Sequence, residues 1–371
     1  MLKLSIVFSL ISSLIFLTNC SGPDTHLTLT ATSYETLPSF HKDRIINALP
    51  AFKTSCDAII KNPNKKYYSA IGYRSMQDFT PFCHCILNDN IKHENELRKL
   101  ITSHLTPYKV EINGTSNGVF TGYYEPILRG SLKRHGKYQT PLYRKPVSIK
   151  LATLPRKDIV RGALKSKKLE LVYVDDPVAA FFIQVQGSGR VRLPSGKILH
   201  LGYSSGNKQP YTPIGRTLLD EGHLVKGRDE VTMQSITKWL KNNPSKAESI
   251  MSSNDSYVFF IIRKGGTGPI GSQNVPITAG RSMAIDPKFI ALGTPLWLDM
   301  CDKNLGSFQR LMVAQDTGGA IKGGIRGDYF FGLGHKAGEK AGVLNAQGTF
   351  FLLLPKIEHP KDHICDKNTI Q

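Results

Sequence analysis

The chain has 371 residues, 40% of them hydrophobic, which suits one large or two linked domains with a sizeable core. Its 48 lysines and arginines outnumber 29 aspartates and glutamates, giving a formal net charge of +19. That balance favours acidic partners. Past the N-terminus no apolar run approaches the ~20 residues of a bilayer-spanning helix. No repeat or low-complexity segment stands out, which leaves an ordinary globular chain.

The first residues read as a targeting segment and stay outside the fold. Lys3 supplies a positive start, and Leu4 to Leu17 form an apolar stretch too short to span comfortably. The stretch ends at Leu17-Thr18-Asn19-Cys20, which resembles a bacterial lipoprotein signal, although Asn19 stands where Gly or Ala is usual. The resemblance implies removal of residues 1–19 and acylation of Cys20. Ser21, rather than Asp, behind that cysteine implies sorting to the periplasmic side of the outer membrane. A plain secretory signal is the alternative. An exported protein does not meet nucleic acid, so anionic wall polymer or lipid headgroups are the acidic partners in reach. Lysines scattered over a solvated surface need no partner at all. Five cysteines then remain, an odd number. One or two disulfides are expected, with Cys56 paired to Cys83 or Cys85. Cys83-His84-Cys85 lacks the second ligand pair of a structural zinc site, so no metal and no cofactor are expected.

In chain order, residues 20–38 read as a polar tether. Ala51 to Ile60 and Ile91 to Leu105 read as helices, the second with Leu97, Ile101 and Leu105 on one face. From Tyr108 the texture changes to short strands: Val110 to Ile112, then Val119 to Tyr124. Ala180 to Gln186 is an apolar run ending in two glutamines. If it is a strand, Gln184 and Gln186 point to one side. Residues 191–201 read as a hairpin around Pro194-Ser195-Gly196-Lys197. Asp229 to Leu240 reads as a helix, and Tyr257 to Ile262, Thr294 to Leu298, Leu311 to Ala314 and Phe350 to Leu354 as strands. Many short strands with Gly/Pro turns favour a barrel or sandwich.

Four segments carry chemistry. Phe120-Thr121-Gly122-Tyr123-Tyr124-Glu125-Pro126 places adjacent tyrosines on opposite strand faces, one for core and one for a groove that suits a pyranose ring. Gln184-Val185-Gln186-Gly187-Ser188-Gly189-Arg190 offers amides and turn NH groups to a polar ligand. Gly280 to Pro287 contains Asp286, whose place before proline reads as a turn or cap. The strongest is Ala314-Gln315-Asp316-Thr317-Gly318-Gly319-Ala320-Ile321-Lys322-Gly323 with Arg326-Gly327-Asp328 beyond it: two carboxylates among glycines, behind a buried strand. Its tail holds His335, a loop histidine read as exposed.

Taken together, these segments resemble the membrane-bound lytic murein transglycosylase A family over about Gly118 to Pro355, with the Tyr257-Val258-Phe259-Phe260 run also in family order. The C-terminal part resembles the three-aspartate domain, with Asp286, Asp316 and Asp328 as its namesakes. The resemblance implies a mainly β fold with a few helices: a double-psi β-barrel (39–126 with 257–357), a second β domain inserted at 127–256, a substrate groove between them, and a tail at 358–371. It implies non-hydrolytic cleavage of the MurNAc-β-1,4-GlcNAc bond of peptidoglycan, leaving 1,6-anhydromuramic ends. Asp316 would be the single catalytic acid/base, Asp328 and Asp286 supporting acids. Substrate contacts would come from Thr121, Tyr124, Gln184, Gln186, Gly187, Ser188, Gly318, Gly319 and Lys322. The expected partners are glycan strands, the outer membrane and wall-synthesis complexes, with the protein a monomer. A hydrolytic muramidase-type glycosidase and a non-catalytic wall-binding lipoprotein remain as rivals.

Overall fold

The computed structural model describes residues 26–69, 72–264 and 268–356. The proposed signal, Cys20 and the C-terminal tail lie outside the described residues. Eight strands make the larger sheet, and six of them close on themselves. Going round the barrel, Asn345–Pro355 pairs with Pro295–Asp302, then Gly306–Thr317, Ser282–Ile285, Arg326–Leu333 and Gly118–Glu125, which returns to Asn345–Pro355. Two of these pairings are parallel, Ser282–Ile285 with Gly306–Thr317 and Arg326–Leu333 with Gly118–Glu125. Parallel neighbours need crossover connections. The fold is thus a double-psi β-barrel, with Leu27–Ala31 and Leu105–Ile112 extending one side.

The barrel core reads directly from the sequence. Leu311, Met312, Val313 and Ala314 are all fully buried, as a strand covered on both faces requires. Three helices, Leu49–Lys61, Thr80–Asn88 and Glu94–His104, pack against it. The expected helices at 51–60 and 91–105 correspond to the first and third, and Cys56 is bonded to Cys83. The N-terminal segment is fastened by a buried ion pair: both guanidinium Nη atoms of Arg281 donate to Asp43, at 2.6 and 2.8 Å. Asp43 also accepts from the Leu311 amide at 2.9 Å, and Arg281 donates to Leu311 O and Arg44 O. Arg281 therefore serves the architecture.

The inserted region forms its own six-stranded sheet over its own core, Leu128, Val172, Ile183, Val191, Leu201 and Phe260 among it. The hairpin expected at 191–201 is present, with Val191 opposite Leu199. Val258–Arg263 pairs with Ile198–Gly206, so by hydrogen bonding this sheet runs to Arg263, past the expected boundary at 256. The helix expected at 229–240 runs Met233–Asn242, because Thr232 caps it with Ser235.

One reading is corrected. Pro177–Gln186 is a helix, not a strand. Asp176 accepts from the Val178 and Ala179 amides, Pro177 takes the first helical position, and Gly187 ends the helix at φ 80. Apolar runs of this length have no decisive period, and the caps decide. Gln184 and Gln186 consequently lie about 200° apart around the helix.

Removing Arg281 leaves the Asp43 carboxylate buried without its partner. Arg281→Met is expected to cost about 3–5 kcal/mol in denaturant unfolding, with Asp43→Asn added to it recovering part of the loss.

Candidate active site

Strand register assembles the site. Ala284 sits opposite Asp316 on one side and Asp328 on the other. The next strand brings Thr121 opposite Asp328, and Asn345 lies opposite Thr121. Asp316, Asp328 and Thr121 therefore stand in one row at the barrel mouth, although Thr121 and Asp328 are 207 positions apart in the chain.

Asp316 is gripped from both oxygens. Oδ1 accepts from the Ser272 amide at 2.9 Å, the Ser272 hydroxyl at 3.0 Å and the Thr317 amide at 2.9 Å. Oδ2 accepts from the buried Tyr123 hydroxyl at 3.0 Å. Burial nevertheless lifts its pKa above the ordinary aspartate value, outweighing four donors that favour the charged form. Asp328 is pushed up to about 6, first by burial and also by the Asp316 charge, against the Thr121 hydrogen bond and Arg326. The Thr121 hydroxyl donates to Asp328 Oδ1 at 2.7 Å and accepts from Arg326 Nη2 at 2.7 Å. Adjacent charges oppose double ionisation, so the two carboxylates together retain a proton under mildly acidic conditions.

Ser272 reaches Asp316 because its loop is laid onto the strand. Gly271 leaves no room for a side chain, since a Cβ there would stand 2.4 Å from Gln315 O. Gln273 donates its amide to Gln315 O and accepts from the buried Ser55 hydroxyl at 2.7 Å. Gln315 in turn donates to Ala51 O and Ser55 Oγ. The Leu49–Lys61 helix thus holds both the strand and the loop that serve Asp316.

The remaining expected residues divide. Gln186 accepts from the Tyr124 amide at 3.0 Å, joining the inserted domain to the barrel. Together with Thr121, Gly122 and Tyr211 it lines a cavity of about 500 Å³ between the domains. Gly187 and Ser188 follow it on the turn, half-buried. Gly318 and Gly319 form the turn after Asp316, where Ile321 N bonds to Gly318 O, and Lys322 is exposed on that loop. Asp286 is buried and pins the far end of the loop by accepting from the Gly323 amide at 2.9 Å; it also caps Lys288 N. That is the turn-and-cap role its place before Pro287 suggested. Gln184 is not brought to the row: it is buried in the inserted domain and accepts from Arg156 at 2.7 Å. Tyr124 packs on Gly338 and lines a different cavity, so the tyrosine at the carboxylates is Tyr123. His335 is highly exposed beside Glu339.

Three residues were not singled out from sequence: Ser272, Arg326 as the partner of Thr121, and Tyr211. Tyr211 enters from the inserted domain close enough for the Asp328 charge to raise its pKa, behind the larger effect of burial. A hydroxyl residue in an unpatterned loop carries no periodic signal, and only the long-range register could have located it.

A double-psi barrel with paired carboxylates at its mouth, beside a second β domain, has the parts of an acid–base enzyme. Comparison with known proteins narrows this. Residues 119–261 match the MltA specific insert domain and residues 281–354 the 3D domain. The chain is 36% identical to the membrane-bound lytic murein transglycosylase A of Escherichia coli K12 over 247 residues, which is 64% of this chain and 66% of that protein, just under two thirds of its length. It is 32% identical to the homologue from Buchnera aphidicola subsp. Schizaphis graminum over 275 residues, 71% of this chain and 74% of the other. Among solved structures, a membrane-bound lytic murein transglycosylase from Agrobacterium tumefaciens superposes with a TM-score of 0.78 at 28% identity, covering 88% of this chain and 98% of that one. The E. coli MltA structure with bound chitohexaose gives 0.70 at 26% identity, covering 88% and 94%. The chain belongs to the membrane-bound lytic murein transglycosylase A family.

Asp328 binds a proton more tightly folded than unfolded, since its pKa rises from an ordinary ~3.9 to about 6. Between those values the folded state holds more protons, so stability falls as pH rises through them. Asp328→Asn is expected to remove up to about 3 kcal/mol of that fall. Urea unfolding of both chains at pH ~3.5 and ~7 checks this: equal pH dependence in the two would refute it.

Proposed function

We propose that the protein is a lytic transglycosylase that cleaves the MurNAc-β-1,4-GlcNAc bond of peptidoglycan without water. The carrying observation is Asp316: a carboxylate at the barrel mouth, oriented through both oxygens and inclined by burial to keep its proton. Family membership and the chitohexaose bound to an E. coli relative support a β-1,4-linked amino-sugar strand as substrate.

Protonated Asp316 donates to the bridging glycosidic oxygen as the C1–O bond breaks. The resulting carboxylate accepts the proton of the muramoyl C6 hydroxyl as that oxygen bonds to C1. One bond forms and one breaks, the proton returns to Asp316, and the product carries a 1,6-anhydro ring. Water activation by a second carboxylate, as in ordinary inverting glycosidases, is not needed. A C6 hydroxyl held near C1 has the effective concentration of an intramolecular nucleophile. Tyr123 and Ser272 stabilise the carboxylate stage, and Asp328 tunes its proton affinity through its neighbouring charge. Thr121 and Gln186, with Tyr211 opposite, are the contacts proposed for sugar rings beside the row. Attachment through acylated Cys20 to the periplasmic face of the outer membrane completes the reading. It agrees with relatives named membrane-bound and with the absence, among the described residues, of any helix long and apolar enough to cross a membrane.

Asp316→Asn is expected to keep the fold and lower cleavage by about 10²–10⁴-fold or more. Mass spectrometry of products released from peptidoglycan tests the chemistry. Products one water lighter than reducing muropeptides support the transglycosylase, and products at full reducing mass make it a hydrolase. No release from folded protein makes it a binding lipoprotein.

A further inference from the structure

The densest concentration of unpaired charge lies far from the carboxylate row in sequence, in the excursion between the strands Thr140–Tyr143 and Glu170–Val174. These strands pair antiparallel, and the base of the excursion is closed where the Arg144 amide donates to Leu169 O at 2.9 Å. The protruding segment carries Arg144, Lys145 and Lys150, then Lys157, Arg161 and a lysine cluster at 165–168, every one exposed. None of these forms an ion pair with a carboxylate among the described residues, and the segment's single acid is Asp158. Elsewhere on the inserted domain some surface cations find acids, as Arg129 and Lys241 do with Asp175 and Asp176.

Apolar side chains stand among these cations. Val147 is 102% exposed and Ile149 78%, with Lys145 and Lys150 beside them, and Val160 is 47% exposed next to Arg161. Val147 and Ile149 thus make little contact with the rest of the protein. The platform beneath them is well packed: Ile159 and Leu164 are buried with Tyr143, Tyr257 and Phe259, and Leu151 packs against that cluster. Buried Arg156 anchors it further by donating to Asn254 O and Ser256 O. The segment thus presents exposed apolar side chains among unpaired cations, above a packed base.

We infer that the tip formed by residues 144–168 is a docking surface for an anionic phospholipid bilayer. Cations near such a surface each gain roughly 1 kcal/mol, and apolar side chains gain by entering the headgroup–acyl boundary. The apolar points decide between polyanions. A soluble acidic polysaccharide would satisfy the lysines but leave Val147 and Ile149 in water, whereas a bilayer satisfies both. The contact is independent of the catalytic reading and of Cys20. With an anchor elsewhere in the chain it would be a second membrane contact, fixing how the inserted domain faces the lipid.

The test uses the full chain carrying Val147→Trp, with the parent chain as the spectral blank. It is mixed with phosphatidylcholine vesicles with and without phosphatidylglycerol, and separately with a soluble carboxylated polysaccharide. The expected result is a blue shift of the added tryptophan with the anionic vesicles and quenching by brominated acyl chains. High salt should reverse both, and Lys145→Glu/Lys150→Glu/Lys157→Glu should weaken the lipid concentration dependence roughly tenfold or more. Those lysines lie outside the carboxylate row, so unchanged far-UV dichroism and glycan cleavage would show the triple variant intact. Vesicle-bound protein with no spectral change at position 147 would overturn the proposal. So would an equal shift on neutral vesicles, or a shift with the polysaccharide alone.

Discussion

The structure depends on how Ser282–Ile285 is inserted between two longer strands. It runs parallel to one neighbour and antiparallel to the other, and Ala284 is the residue at which both registers meet. Because strand side chains alternate, a one-residue slip on either side would turn Asp316 or Asp328 away from the shared face. Everything else at the mouth follows from that placement. Tyr123 and Thr121 arrive two residues apart on one strand, one for each carboxylate. A small side chain between the two acids keeps them close enough for the Asp316 charge to raise the proton affinity of Asp328.

The surrounding polar networks act on this row by fixing its neighbours. The Leu49–Lys61 helix, through Ser55, holds Gln273 and Gln315 at once, so one buried hydroxyl determines where both the Ser272 loop and the Asp316 strand lie. Asp286 performs a similar office for the glycine loop that follows. Of the three aspartates that mark this part of the chain, two stand in the row at the barrel mouth and one is spent on the backbone. Asp286 accepts from backbone amides of its own loops, while Asp316 and Asp328 take side-chain hydroxyls from Tyr123, Ser272 and Thr121, and burial raises the proton affinity of these two.

Much of this was legible in the sequence. The apolar run ending at Ala314 announces a buried strand, and the carboxylate-glycine punctuation behind it announces the mouth. Turn residues located the hairpin around Gly196. What escaped has physical causes. The Pro177–Gln186 run is apolar on nearly every side, so its period is silent and only Asp176 and Gly187 declare a helix. That misreading carried Gln184 into the expected groove, when its amide serves Arg156. Tyr123 and Tyr124 are indistinguishable in composition, and which of them meets Asp316 is settled by barrel closure. Ser272 and Tyr211 lie in stretches without regular pattern, and become meaningful only through partners far along the chain.

The separation of those partners has a consequence for how the molecule comes into being. The strand bearing Thr121 closes the barrel against strands that begin at Arg326 and Asn345, with the whole inserted domain between. The insert, by contrast, builds its sheet from strands between Ile127 and Arg263 and has its own cores. Contacts between distant segments form late, after shorter loops have closed. The barrel therefore closes last: a chain stopped before its final strand can hold a folded insert while the strand bearing Thr121 lacks its partner at Asn345.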